Sequence, residues 1–162
     1  MKKIELKTIF FEYNSLEELQ EADRDLVLQA KSAADTAYAP YSKFHVGAAI
    51  RLENGVCIKG SNQENVAYPS GLCAERVAMF AASSQYPGIP VVAIAITAKT
   101  DNFKIDTPIS PCGSCRQVLA EYEHLFGKPI RIILTGETGS VYIIDKVEDL
   151  LPLSFKADNL KK

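Results

Sequence analysis

Val91-Val92-Ala93-Ile94-Ala95-Ile96, then Pro111-Cys112-Gly113-Ser114-Cys115-Arg116-Gln117, then Ile130-Arg131-Ile132-Ile133-Leu134-Thr135 carry the reading that decides the fold. The first is a continuous apolar run of strand length, as expected of a buried strand. The second opens a helix from Cys112 to about His124, with Ser110 and Pro111 well suited to its start, since proline is tolerated where no backbone donor is needed. The third is another strand, and strand–helix–strand passages of this kind are right-handed crossovers. Upstream, residues 45–52 and 56–61 flank Asn54-Gly55, a two-residue hairpin signal, and a helix is expected from about Cys73 to Ser84. Ser15 and Glu18 form a capping-box pattern. Leu16, Leu19, Leu26, Ala30, Ala33, Ala34 and Ala37 recur at helical spacing, in a helix broken once and ending before Ala39-Pro40. Downstream, Val141 to Ile144 forms a short strand and Val147 to Leu151 one helical turn. The expected fold is α/β, a three-layer α/β/α sandwich around a mixed five-stranded sheet. Residues 3–13 offer an extra edge strand, and the tail after Phe155 is expected to be loosely held.

The 162 residues suit a single domain, with residues 1–20 as an N-terminal extension. Eighteen basic against twenty acidic side chains give a net charge of −2, with a pI near 5.7. Binding to a nucleic-acid backbone or an anionic membrane wants a clustered basic excess, so neither is the expected partner. No run approaches the roughly 18 apolar residues of a membrane span. Glu5, Lys7 and Glu12 interrupt any export signal, so the expected compartment is the cytoplasm, where the four cysteines stay reduced.

Two clusters carry chemistry: Cys73-Ala74-Glu75-Arg76 and the Pro111–Gln117 motif. Cys112 and Cys115, at i and i+3, face one way on a helix's first turn and can grip one ion. Cys73 can add a third thiolate. Three soft, anionic ligands suit zinc, one per chain, and leave the fourth tetrahedral position open, which distinguishes a catalytic from a structural site. Glu75 would point about 200° from Cys73 around a helix. The two converge only if the metal sits off the helix end, where Glu75 would shuttle protons rather than ligate. Arg76 and two helix N-termini offset the excess negative charge of three thiolates.

Other readings stand beside this one. Cys-x-x-Cys alone fits a redox pair or half a structural zinc site, and Cys57 is either an inert core thiol or a fourth ligand. His45 lacks metal-type spacing. His124, near a helix C-terminus, is explained by the dipole.

At these clusters the chain resembles the zinc-dependent nucleobase deaminases, and more closely the small homotetrameric cytidine deaminases of pyrimidine salvage. The likeness runs from about Leu26 to Phe155. It includes Tyr38–Phe44, Val46–Ala49, Asn62–Asn65, Ala67-Tyr68, Ser110–Gln117 and Leu150–Pro152. The resemblance implies zinc ligands Cys73, Cys112 and Cys115 and a proton shuttle Glu75. It implies substrate contacts from Phe44, Asn62, Glu64, Asn65, Tyr68 and the Ala74 backbone, with Asn62 and Glu64 taking the sugar 3′-hydroxyl. Phe155 corresponds to an aromatic that stacks on the base from a neighbouring subunit. The implied activity is hydrolytic deamination of cytidine and deoxycytidine. Blasticidin S or a tRNA adenosine would be the substrate of related deaminases. A zinc-stabilised, non-catalytic domain using Cys57 is a rival of another class. The chain departs from the pattern at residues 1–20, at His45 where proline is common, and at the polar segment Asp101 to Thr107.

Overall fold

A computed structural model describes residues 1–156; the tail from residue 157, expected to be loosely held, lies outside the described residues. The N-terminal extension does supply a strand, β1 (Phe11–Tyr13), shorter than the 3–13 segment that suggested it. The expected broken helix resolves into a 3-10 turn, Leu16–Glu18, and α1 (Glu21–Ala34). The capping box does not form: Ser15 makes no side-chain cap, and the Glu18 carboxylate instead accepts from the Asn14 backbone and side-chain amides.

Strands β2 (Phe44–Leu52) and β3 (Cys57–Ser61) form the expected antiparallel hairpin. Its connection is one residue longer than a two-residue turn. The Leu52 amide bonds Val56 O across Glu53, Asn54 and Gly55, and of the Asn54-Gly55 pair only Gly55 takes a positive φ, 84°. Asn54 instead accepts from the Val56 amide through its side chain, which favours a three-residue loop with glycine in the left-handed position. Helix α2 (Ala74–Gln85) leads to β4 (Val91–Thr100), four residues longer than the apolar run because β2 pairs along it out to Phe44↔Thr100. Then come α3 (Gly113–Phe126), ended by left-handed Gly127, β5 (Arg131–Thr135) and β6 (Val141–Ile144). A 3-10 turn, Val147–Leu150, follows.

The strands form one mixed sheet in the order β1-β6-β5-β4-β2-β3, so the count is six rather than five, because β1 pairs antiparallel with the β6 edge. Alternation along β2 divides the core between two layers. Ala48, Ile50 and Leu52 join Ala78 and Met79 of α2 and Leu119 of α3 on one face. Ala49 meets Leu26, Val27 and Ala30 of α1 on the other. Gly47 and Gly60 are where helices press closest. A Cβ at Gly47 would run into the Ala30 carbonyl, and one at Gly60 would lie 2.5 Å from the Ala78 amide nitrogen and 2.7 Å from the Ala74 carbonyl. Asp23 of α1, only 5% exposed, ion-pairs with Arg51 of β2 and Arg131 of β5, fastening that helix to the sheet.

Candidate active site

Sheet topology brings the two cysteine motifs together. β2 runs antiparallel to both β3 and β4, so β3 and β4 are parallel to one another. Helix α2 follows β3 and α3 follows β4, and both pack on the same face of the sheet. Their N-termini therefore emerge at the same edge. Each helix begins one residue later than expected, at Ala74 and Gly113, because Cys73 and Cys112 occupy the N-cap positions in extended conformation. Neither caps its helix with its side chain, so both sulfurs are left to point at something else.

They point at one another and at Cys115. The three sulfurs lie within 4.8 Å of each other, with Cys73 Sγ–Cys112 Sγ at 3.9 Å and Cys112 Sγ–Cys115 Sγ at 3.4 Å. Zinc–sulfur bonds of about 2.3 Å at tetrahedral angles put neighbouring sulfurs roughly 3.8 Å apart, so the trio fits zinc. Burial grades from Cys112, exposed, through half-buried Cys73 to fully buried Cys115. The Cys73 thiol is pulled down to about 5, first by its hydrogen bond with Cys115 and also by Arg76. The Cys115 thiol is pushed up by the same contact with Cys73 and by burial. Thiols crowded this closely resist ionising together unless a cation joins them. Arg76 supplies part of that charge, its Nη2 reaching Cys73 Sγ at 3.8 Å.

Glu75 is 4% exposed, and burial, followed by the negative charge of Cys73, holds its carboxyl above the ordinary range. It nevertheless lines, together with Cys73 and Cys112, an open cleft of ≈ 1080 Å³. Glu75 and Cys73 thus converge on the space beyond the end of α2 despite their angular separation around the helix. Ala74 is wholly buried beneath them.

The opposite wall comes from the start of β2 and the segment after β3. Phe44, Asn62, Glu64, Asn65 and Tyr68 all line the cleft. Asn62 is partly spoken for: its Oδ1 accepts from Val46 N at 2.8 Å and its Nδ2 donates to Phe44 O at 2.9 Å. One lone pair and one hydrogen of the amide remain. The Glu64 carboxylate accepts from the Tyr41 and Ser42 amides at 2.8 and 3.3 Å, and the Ser42 hydroxyl contributes most to holding it below the usual carboxylate range. Asn65 closes a tight turn by accepting from Ala67 N. Tyr68 meets Tyr41 edge-on, with ring centroids 6.3 Å apart. Phe155 is not at this cleft; it is 67% exposed elsewhere, its carbonyl accepting from Gln117 Nε2.

Sequence reasoning gave no role to Tyr41, Ser42 or Ile109, all of which line the cleft. The first two lay inside the Tyr38–Phe44 segment, but their contact with Glu64 spans 22 and 23 residues and has no local signature. Cys57 packs against the α1 face of the sheet, away from the α2 and α3 face, and is outside the sulfur group found among the described residues. The reading that made it a fourth ligand fails on that placement. Neither histidine joins the group; His124 sits in the last turn of α3 as its dipole favours.

Residues 20–125 match the family model for the cytidine and deoxycytidylate deaminase zinc-binding region. The chain belongs to this family. A cytidine deaminase from Halalkalibacterium halodurans is 41% identical over 135 residues, 83% of this chain and 95% of the relative. A crystal structure of cytidine deaminase from Burkholderia pseudomallei superposes with a TM-score of 0.70 at 41% identity, covering 81% of this chain and 97% of that one. A blasticidin-S deaminase from Bacillus cereus is more distant, 28% identical over 139 residues, 85% of this chain and 94% of the relative. Zinc is the metal of this deaminase family, and the sulfur trio has the chemistry and spacing to take it. The matched region begins after most of the N-terminal extension, including β1.

Proposed function

We propose that this family member deaminates cytidine and deoxycytidine by zinc-dependent hydrolysis, within a single catalytic domain comprising residues 1–162. The observation that carries the reading is the buried Glu75 carboxyl beside three converged sulfurs in a cleft roomy enough to admit a nucleoside. Zinc, held by Cys73, Cys112 and Cys115, supplies a Lewis acid able to lower the pKa of a water to about 7. Glu75 takes a proton from the attacking water and places it on ring N3 as oxygen adds at C4. It then takes the proton of the new C4 hydroxyl and delivers it to the amino group as the C4–N4 bond breaks and the C4 carbonyl forms, giving uridine, or deoxyuridine, and ammonia. Burial, which holds its carboxyl above the ordinary range, favours uptake of a proton in each transfer. Arg76 tempers the charge on Cys73.

Asn62 and Glu64 face the cleft with spare hydrogen-bonding capacity and bind the sugar hydroxyl, while Phe44, Asn65 and Tyr68 enclose the nucleoside. The substrate is a small molecule rather than a nucleic acid, in keeping with the net charge of −2. The chain works as a homotetramer whose active sites are completed by neighbouring subunits. Phe155, exposed and remote from its own cleft, is available to a neighbour's. The reaction serves pyrimidine salvage in the cytoplasm. Among the described residues, no helix is long and apolar enough to cross a membrane. Ammonia release measured in parallel from cytidine, deoxycytidine, adenosine and blasticidin S tests the substrate. Turnover of the first two alone is expected; a preference for blasticidin S or adenosine would contradict it. Sedimentation is expected to give four times 17.8 kDa.

A further inference from the structure

Arg116 follows Cys115 directly and has no part in the chemistry above. Its guanidinium joins two backbone carbonyls: Nε donates to Pro111 O at 2.8 Å, and Nη1 donates to Leu150 O at 2.9 Å. Its own backbone amide donates to Cys112 O at 2.9 Å. One residue therefore grips the chain on both sides of the Cys112 α-carbon.

That grip falls on the sulfur least held by the fold. Cys115 is buried within α3, and Cys73 heads a helix pressed onto β3 at Gly60. Cys112 is exposed and sits outside α3, at the end of the segment joining β4 to that helix. Pro111, just before it, has no N–H, so its carbonyl is the only backbone hydrogen-bonding group it offers. Arg116 takes that carbonyl. A planar guanidinium presents its donors in a fixed fork, so the arm reaching Leu150 stiffens the arm reaching Pro111. Unlike Arg76, Arg116 spends its donors on carbonyls rather than on sulfur.

We infer that Arg116 is a positioning residue for the Cys112 sulfur, locking the Pro111–Cys112 backbone against α3 and the Val147–Leu150 turn so that the exposed ligand stays on the metal. The inference rests on Cys112 being a zinc ligand. The test is the rate at which zinc-loaded protein gives up its metal to a colorimetric chelator, at a temperature where circular dichroism shows the variants folded. Arg116→Gln should release zinc at least tenfold faster than the parent. Arg116→Lys, which keeps the charge but loses the fork, should also be several-fold faster. Gln117→Ala, which removes the bond to Phe155 O, should match the parent. A parental rate in Arg116→Lys would show that charge alone suffices and would overturn the inference; this variant decides the matter should Arg116→Gln fail to fold. Equal acceleration in Gln117→Ala would overturn it too, by reducing the effect to general loosening. Parent protein that binds no zinc would instead refute the ligand assignment beneath it.

Discussion

Glu75 sits among groups that all bear on whether it holds a proton. Burial and the Cys73 charge favour the neutral acid, while its hydrogen bond with Cys115 and the Arg76 charge oppose them. Glu75→Gln preserves shape and much of the hydrogen bonding but cannot carry a proton. Turnover should fall by at least about 10²–10⁴-fold, with zinc content measured by elemental analysis unchanged. Near-parental turnover would remove Glu75 from the mechanism. At this scale the sequence was most informative about the cysteines and Glu75, since i, i+3 spacing and helix starts are local properties. It was less informative about Asn62. The residue was placed at the cleft, but the bonds its amide makes with Val46 N and Phe44 O appear only when β2 lies beside it.

Elements decide where those residues stand, and two contacts do most of that. Gly60 lets α2 lie against β3 so closely that an added methyl would meet helix backbone rather than a side chain able to swing away. Gly60→Ala should therefore destabilise the protein by about 1–3 kcal/mol. It should also weaken zinc binding by displacing Cys73, both readable from thermal melts with and without added zinc. On the opposite face, Asp23→Asn leaves Arg51 and Arg131 without their shared carboxylate. A loss of about 2 kcal/mol in urea unfolding is expected, with zinc affinity intact, since this ion cluster faces α1 rather than the cleft. Element order was legible because apolar runs and proline positions are local. The helices begin one residue later than the sequence suggests, since a cysteine at the N-cap leaves that position unmarked by serine, threonine or aspartate. The hairpin loop runs to three residues rather than two because Asn54 uses its side chain rather than its backbone to make the turn.

Over the whole molecule, the mixed sheet does one thing for function: it makes β3 and β4 parallel, so that two helix starts 39 residues apart meet at one edge. The sixth strand is the edge strand that residues 3–13 offer beyond the expected five, narrowed to the three residues, Phe11–Tyr13, that pair with β6. The contact between Arg116 and Leu150 spans 34 residues and has no local signature in the sequence. Everything assigned to the cleft depends on its sulfur trio holding one zinc. The most direct check is elemental analysis of the purified protein, alone and with each of Cys73, Cys112 and Cys115 replaced by alanine. One zinc per chain in the parent and its loss in all three variants is the expected result. A parent that is metal-free and takes up no zinc, or variants that keep it, would contradict the account.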